Sequence, residues 1–317
     1  MSYQFTFHID RKAKPGAWGA VAVIFGGEHN GEVVFWERRE RKSQAPSRIE
    51  LGSKHDSTEG DPSLEEEEED EGLTRITLPR GCAFQQTFTN TPRQRDVWYI
   101  AGAAGSGKST YAGKGMRQYV QVRTDLVDGV RRRKREDPED VTPCVKIASE
   151  KPADPALDDA LSSLGLPPPE RITMRSIADM YAASKNPDDR TILERFKRCL
   201  LIIDDVDALK APLKHAVAAV IDKVLLLGRA DAIDVILCQH ALTDGMEGRM
   251  RLQEATHFVL FPGSTTTHQL RYLMEKHLGM GRDDVAALSM NGVGRWIVIH
   301  KNVPRYAMTE SGRLWML

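Results

Sequence analysis

The chain has 317 residues, with 44 Lys or Arg against 45 Asp or Glu, so its formal net charge is −1. A hydrophobic content of 41% is enough for a folded core and excludes disorder of the whole chain. No apolar run approaches the roughly 18–20 residues that span a bilayer, and the first residues lack the pattern of a signal peptide.

The first 95 residues predict a small β-rich appendage. Alternating apolar residues and turn signals place strands at 5–9, 18–25, 32–36 and 74–78. Between the last two lies an acidic stretch, 54–72, whose low hydrophobicity and like-charge repulsion predict a solvated, disordered loop. Ten acidic residues and no Lys or Arg lie in 55–72, so the other residues carry a surplus of nine positive charges. A basic body of this kind leaves a nucleic-acid partner open.

Residues 96–317 alternate between strands and helices. The predicted strands are 96–101, 145–148, 199–203, 234–238, 257–261 and 295–300. The predicted helices lie near 107–120, 174–184, 191–198, 213–227, 266–277 and 284–290, and the charged stretch 123–139 is a helix or an exposed insertion. Continuous apolar strands between amphipathic helices predict an α/β domain whose mostly parallel central sheet is flanked by helices on both faces.

Residues 102–109 read GAAGSGKS and fit the P-loop pattern G-x-x-x-x-G-K-[ST]. Glycines let consecutive backbone N–H groups point at phosphates, and the following helix adds the positive end of its dipole. Lys108 is expected to reach the β and γ phosphates, and the Ser109 hydroxyl to bind Mg²⁺. The predicted nucleotide-binding residues are Gly102, Ala103, Ala104, Gly105, Ser106, Gly107, Lys108, Ser109 and Thr110. Thr110 is one position too late for the metal and fits packing or capping.

Asp204 and Asp205 follow the apolar strand 199–203. Because ligands bind at the carboxyl ends of parallel strands, Asp204 is expected to hold Mg²⁺ through water, and Asp205 to polarise the attacking water. Many P-loop ATPases have a glutamate at the second position, and aspartate is one methylene shorter. The alternative reading of the pair is a helix N-cap, a role that Asp207 fits better.

Polar and basic residues elsewhere supply further candidates. Gln239 ends the next strand and is predicted to contact the γ-phosphate or orient the water; His240 competes for this role, and both residues could simply mark the end of a strand. Arg229, with Arg249 and Arg251 as alternatives, is the candidate to stabilise transition-state charge from a neighbouring subunit, although each is equally typical of a solvated surface arginine.

The run RRRKR at 131–135 is the densest basic patch in the chain. Such a patch suits nonspecific contacts with a phosphate backbone, but a solvated helix or a targeting signal explains it equally well. The acidic stretch could shield this patch, mimic DNA, or only solubilise the chain.

Several motifs together resemble one family. They are YIAGAAGSGKSTY at 99–111, DPALD at 154–158, LIIDD at 201–205, LGR at 227–229, VILCQH at 235–240, HFVLFP at 257–262 and GRW at 294–296. Over about residues 95–303 the sequence resembles the P-loop ATPases of large double-stranded DNA viruses. That group is within or near the FtsK–HerA ATPases and includes poxvirus and giant-virus genome-packaging ATPases.

The resemblance implies a RecA-like core, a ring-shaped homo-oligomer, ATP hydrolysis with Mg²⁺, and translocation of double-stranded DNA into a capsid. It implies nucleotide and Mg²⁺ contacts for Lys108 and Ser109, metal and water roles for Asp204 and Asp205, and a polar-sensor role for Gln239. A capsid or portal-vertex protein is a further implied partner, in the host cytoplasm (a viral factory) or the virion. The sequence departs from the family's pattern in two ways. Asp205 replaces the usual Glu, and residues 1–95 have no family motif.

Two other functions remain open from the sequence. A P-loop kinase acting on a nucleotide or polynucleotide end would share the phosphate loop and the metal aspartate, with Arg249 and Arg251 as lid residues. A nucleotide-binding virion or scaffold protein without turnover would use the appendage to dock a partner. The four cysteines, Cys82, Cys144, Cys199 and Cys238, have no C-x-x-C spacing, which favours a reducing, intracellular compartment over a zinc site or a disulfide framework.

Overall fold

The structure is a computed structural model that describes residues 3–14, 17–40, 74–88, 95–131, 143–184, 190–242, 248–290 and 294–317. The acidic stretch 54–72 and residues 132–135 of the basic run lie outside the described residues, so the expectations for them stay predictions. Among the described residues, the strands form two sheets.

The smaller sheet is antiparallel and comes from the N-terminal region. Its strands, in spatial order, are β1 (Tyr3–Asp10), β3 (Val33–Glu40), β2 (Ala20–Phe25) and β5 (Ala83–Gln86). The first three agree with the strands expected from the alternation of apolar residues. Phe7, Val21 and Ile24 are buried in the same hydrophobic cluster as Trp98 of the larger sheet, so the two sheets share a core.

The larger sheet has a parallel half and an antiparallel half. Its strands, in spatial order, are β4 (Arg75–Thr77), β14 (Arg313–Met316), β13 (Tyr306–Thr309), β12 (Ile297–His300), β11 (His257–Leu260), β6 (Val97–Ala101), β10 (Asp234–Gln239), β9 (Cys199–Asp204), β7 (Cys144–Ala148) and β8 (Glu170–Ile172). From β11 to β8 every neighbouring pair is parallel, and from β11 to β4 every pair is antiparallel. The predicted α/β class, with a mostly parallel sheet at its centre, is confirmed.

Helices and the small sheet cover both faces of this sheet. The helices are α1 (Lys108–Arg131), α2 (Pro155–Asp158), α3 (Met174–Ala183), α4 (Thr191–Glu194), α5 (Leu213–Leu227), α6 (Gly248–Glu254), α7 (Thr267–Tyr272) and α8 (Arg282–Met290). Successive residues of β6 face opposite cores: Tyr99 packs in the cluster of α3 and α5, whereas Trp98 packs in that of α1 and the small sheet. This two-sided burial explains why the parallel strands are continuously apolar.

Several elements differ from the expectations. The stretch 74–78 joins the edge of the larger sheet instead of the appendage, because Ile76 is fully buried opposite Leu314 of β14. Helix α1 continues from the stretch predicted near 107–120 to Arg131, so the first part of the charged stretch 123–139 is helical, as one of the two alternatives proposed. Helix α4 is only four residues long. The short strands β8, β13 and β14 had no clear sequence signal. In the part of the chain that the structure describes, no helix is long and apolar enough to cross a membrane.

Candidate functional site

The P-loop connects β6 to α1 and has the tight shape that its glycines allow. Gly105 and Gly107 have φ angles of +76° and +105°, which side-chain-bearing residues rarely adopt. A Cβ atom on Gly102 would lie 2.8 Å from Ser106 Oγ and 3.1 Å from Phe261 Cβ. The sequence therefore folds here into a narrow turn that needs glycine at these three positions and ends at the first turn of α1.

Lys108, the first residue of α1, points back into this turn. Its Nζ atom donates to the carbonyl oxygens of Gly102 at 2.6 Å and Ala103 at 2.9 Å. Burial lowers the pKa of the Lys108 ammonium, partly offset by nearby aspartates. The loop is supported from behind by Ser264, whose Oγ accepts a hydrogen bond from Ala103 N at 3.2 Å. Ser264 follows β11 and was not among the predicted residues.

The two aspartates lie at the carboxyl end of β9, separated from the P-loop strand β6 only by β10. Asp204 is 2% exposed, and burial together with the neighbouring Asp205 raises its pKa. Asp205 adopts left-handed backbone angles, φ 59° and ψ 31°. A non-glycine residue in this conformation is strained, and such strain concentrates at functional sites.

Lys151, which the sequence reasoning missed, bridges the two aspartates. Its Nζ atom lies 2.5 Å from Asp205 Oδ2 and 3.3 Å from Asp204 Oδ2. Hydrogen bonding to Asp205 raises the pKa of Lys151. Lys151 follows β7, the strand next to β9, so the rule that placed the aspartates at the carboxyl edge of the sheet could also have found it.

His240 connects the aspartates to the P-loop lysine. Its Nε2 atom lies 2.7 Å from Asp205 Oδ1, and its Nδ1 atom lies 3.4 Å from Lys108 Nζ. Because an ammonium has only donors, Nδ1 is the acceptor toward Lys108, and Nε2–H donates to the Asp205 carboxylate. Burial alone would raise the pKa of Asp205, but the hydrogen bonds from Lys151 and His240 lower it.

Gln239 lies at the end of β10, beside Asp207. It is buried, and with its amide group oriented so that the nitrogen faces Asp207, it donates to both carboxylate oxygens, at 2.6 and 2.9 Å. Asp207 Oδ2 also accepts from the backbone N–H of His240 at 2.9 Å. Asp207 therefore ties the end of β10 to the loop after β9, and it is His240, the competing candidate, that contacts Asp205.

The three candidate arginines lie outside this cluster. Arg229 is exposed and follows α5, before the amino end of β10, which is the edge of the sheet opposite the P-loop. Arg251 is 1% exposed within α6, whereas Arg249 is exposed in the first turn of that helix. Arg229 cannot reach the site of its own chain from there, and a buried Arg251 does not have the exposure of a lid residue.

The polar groups of these residues fit nucleotide phosphates and Mg²⁺. The narrow glycine turn presents backbone N–H groups together with the Lys108 ammonium, a combination suited to phosphate. Mg²⁺ takes oxygen ligands and usually only one or two from protein, the others coming from water and phosphate. The Ser109 hydroxyl and the Asp204 carboxylate supply such oxygens, so these two residues would hold the metal.

Comparison with known proteins gives one sequence relative and several similar structures. No family model matches the chain. It is 27% identical over 250 residues to the uncharacterized protein V3 of Sputnik virophage, covering 78% of this chain and 86% of that protein.

Two similar structures are the genome packaging NTPase B204 of Sulfolobus turreted icosahedral virus 2 with ATP-gammaS and the pCW3 conjugation coupling protein TcpA with ATPgS. The first has a TM-score of 0.40 and 13% identity, over 69% of this chain and 98% of that one. The second has a TM-score of 0.39 and 12% identity, over 92% and 77%.

Proposed function

We propose that the chain is a Mg²⁺-dependent ATPase that acts as one subunit of a viral DNA-packaging motor. One observation carries the ATPase proposal: the P-loop lysine and the Asp204–Asp205 pair converge at one edge of a parallel sheet, where His240 joins them. That edge is where open α/β sheets bind their ligands.

The chain's own residues have distinct tasks in this reaction. Backbone N–H groups of 102–110 bind the phosphates, and Lys108 turns from the loop carbonyls to the β and γ phosphates of ATP. When bound through Ser109 and Asp204, Mg²⁺ neutralises phosphate charge. The Asp205 carboxylate is ionised at neutral pH, so it accepts a hydrogen bond from the attacking water and orients it.

Two more residues complete the proposed catalytic set. Gln239 is the proposed polar sensor: its contact with Asp207 fixes the backbone of His240 at the end of β10. Arg229 lies on the opposite edge of the sheet, so its contribution to charge stabilisation requires a neighbouring subunit. A homo-oligomeric ring supplies such a neighbour at every site.

Double-stranded DNA is the proposed polymer partner. The chain outside 55–72 carries a surplus of nine positive charges, which favours contacts with a phosphate backbone. The resemblance to packaging ATPases extends this to a capsid or portal-vertex partner in an infected cell or a virion.

The test is ATP hydrolysis by the full chain with Mg²⁺, with and without double-stranded DNA, alongside its oligomeric mass. We expect turnover that DNA stimulates, less so at high salt, and that Lys108→Ala lowers at least about a hundredfold. Lys197→Ala is the matched control, because Lys197 pairs with Glu194 before the amino end of β9. Turnover that DNA leaves unchanged at every salt concentration contradicts the motor proposal. Transfer of the γ-phosphate to an acceptor other than water indicates a kinase.

A further inference from the structure

Lys151 is the one cation within bonding distance of both aspartates in the part of the chain described. It touches Asp204, the residue assigned to the metal, and Asp205, the residue assigned to water. Its side chain is 45% exposed, whereas those of Asp204 and Asp205 are 2% and 14% exposed. The carboxylates are thus fixed in the protein while the ammonium lies at the open side of the cluster.

The backbone of Lys151 is held by hydrogen bonds on both of its polar groups. Its N–H donates to Ser149 Oγ at 3.1 Å, and its carbonyl accepts from Arg171 Nη1 at 3.1 Å. Arg171 in turn makes a two-pronged contact with Asp158, from Nε and Nη2, each at 2.8 Å. This explains part of the DPALD motif, for which no role was predicted.

Helix α2, which carries Asp158, packs closely on the helix that follows the P-loop. A Cβ atom on Gly113 of α1 would lie only 2.3 Å from the carbonyl oxygen of Ala156. Asp158 also accepts from Asp154 N at 2.7 Å, which closes the short helix on itself. This series of contacts, from α1 through Asp158 and Arg171, therefore fixes the backbone of Lys151 relative to the phosphate loop.

A divalent cation and the Lys151 ammonium need the same oxygen atoms. Asp204 Oδ2 is bonded to Lys151 and belongs to the carboxylate assigned to the metal. Two cations at one carboxylate pair repel each other, and the flexible lysine stem lets the ammonium move while its backbone stays fixed. A nucleotide that binds together with the metal brings γ-phosphate oxygens, whose negative charge attracts the displaced ammonium.

We propose that Lys151 is a catalytic residue of its own subunit: metal binding displaces its ammonium from Asp204 and Asp205, and the ammonium then binds the γ-phosphate oxygens. This rests on the proposed ATPase function. Bound there, a positive charge stabilises the negative charge that develops on those oxygens in phosphoryl transfer. Because the displacement accompanies metal binding, the ammonium reaches the phosphate only when the metal is present.

The first measurement is metal binding to the full chain without nucleotide, using Mn²⁺ in place of Mg²⁺ and detection by electron paramagnetic resonance. Lys151→Met removes the competing cation and is expected to tighten Mn²⁺ binding about tenfold. Lys197→Met is the matched control, since Lys197 is 46% exposed and also paired with a carboxylate. Asp204→Asn is expected to weaken Mn²⁺ binding in both backgrounds, which identifies the site.

The second measurement is steady-state kinetics of the same variants. Lys151→Met is expected to lower kcat about a hundredfold with little change in KM, and Lys151→Arg to recover part of the loss because it keeps the charge. Asp158→Asn weakens the clamp on Arg171 and is expected to lower kcat less than Lys151→Met does.

The outcomes separate this proposal from the ATPase proposal. Mn²⁺ affinity in Lys151→Met equal to that of the unsubstituted chain overturns the displacement of Lys151. A kcat within twofold of the unsubstituted chain overturns its catalytic role. If the unsubstituted chain binds Mn²⁺ but hydrolyses no ATP, the ATPase proposal fails and the catalytic role of Lys151 fails with it, while the metal measurement still decides the displacement.

Discussion

The buried ion pair between Arg123 and Asp234 offers the sharpest stability prediction. Arg123 Nη2, on α1, lies 2.6 Å from Asp234 Oδ2, and Asp234 Oδ1 accepts from Asp96 N at 2.9 Å. Asp234 is 1% exposed and begins β10, so the pair joins the helix after the P-loop to the amino ends of β6 and β10. Arg123→Met keeps most of the apolar stem but removes the positive charge of the guanidinium. The Asp234 carboxylate is then left without its partner at a position that water does not reach.

The expected cost is about 3 kcal/mol of unfolding free energy. Removing one partner of a buried pair costs roughly 3–5 kcal/mol. The lower end applies because the Arg123 side chain is 20% exposed and Asp234 retains the hydrogen bond from Asp96 N. Arg195→Met is the matched control: Arg195 and Glu170 pair at the surface, with exposures of 52% and 42%, and such a pair contributes about 0–1 kcal/mol.

The assay is urea unfolding at several pH values. Burial raises the pKa of Asp234 even beside Arg123, and loss of Arg123 raises that pKa further. The penalty for a buried carboxylate is full above the folded pKa and disappears as the pH falls below the unfolded pKa, so the destabilisation by Arg123→Met should shrink toward acid pH. Adding Asp234→Asn should restore at least about 1 kcal/mol, since a neutral amide replaces the unpaired charge. A destabilisation equal to that of Arg195→Met, or one that does not vary with pH, would refute this reasoning.

Two further predictions concern the site and the response to acid. His240→Ala is expected to lower kcat for ATP hydrolysis at least about tenfold, because His240 contacts Asp205 and Lys108 directly. Gln239→Leu is expected to lower kcat less, since Gln239 contacts Asp207. The reverse order in steady-state kinetics would make Gln239 the main sensor. Burial lowers the pKa of His300 to about 4, below the value near 6.5 that histidine has in the unfolded chain. The contribution of neutral His300 to folding stability is therefore full above about pH 6.5 and is lost as the pH falls toward 4. The total loss is about 3 kcal/mol. His300→Phe should flatten that dependence in urea titrations, since it retains the stacking on Tyr306; an unchanged slope would show that His300 is not responsible.

Local patterns in the sequence were sufficient to predict much of the fold, and they proposed the residues at the centre of the candidate site. The P-loop depends on glycines at fixed spacing, and the positive φ angles of Gly105 and Gly107 show why only glycine serves there. The parallel strands are continuously apolar because both faces of the sheet are covered, so β6, β9 and β10 were evident as runs of buried residues. Asp204 and Asp205 followed from the rule that polar residues at the carboxyl ends of such strands face the ligand.

Only the tertiary structure decided which of the remaining polar residues meet. Lys151 is more than 50 positions from Asp204 in sequence, and their contact depends on the pairing of β7 with β9. The choice between Gln239 and His240 depends on side-chain direction at the end of β10, where Asp207 binds the first and Asp205 the second. The same holds for the edge strand β4, whose three residues carry too little pattern to reveal their partner. Short-range spacing encodes backbone shape and burial, whereas contacts between distant residues depend on strand order, which no local pattern specifies.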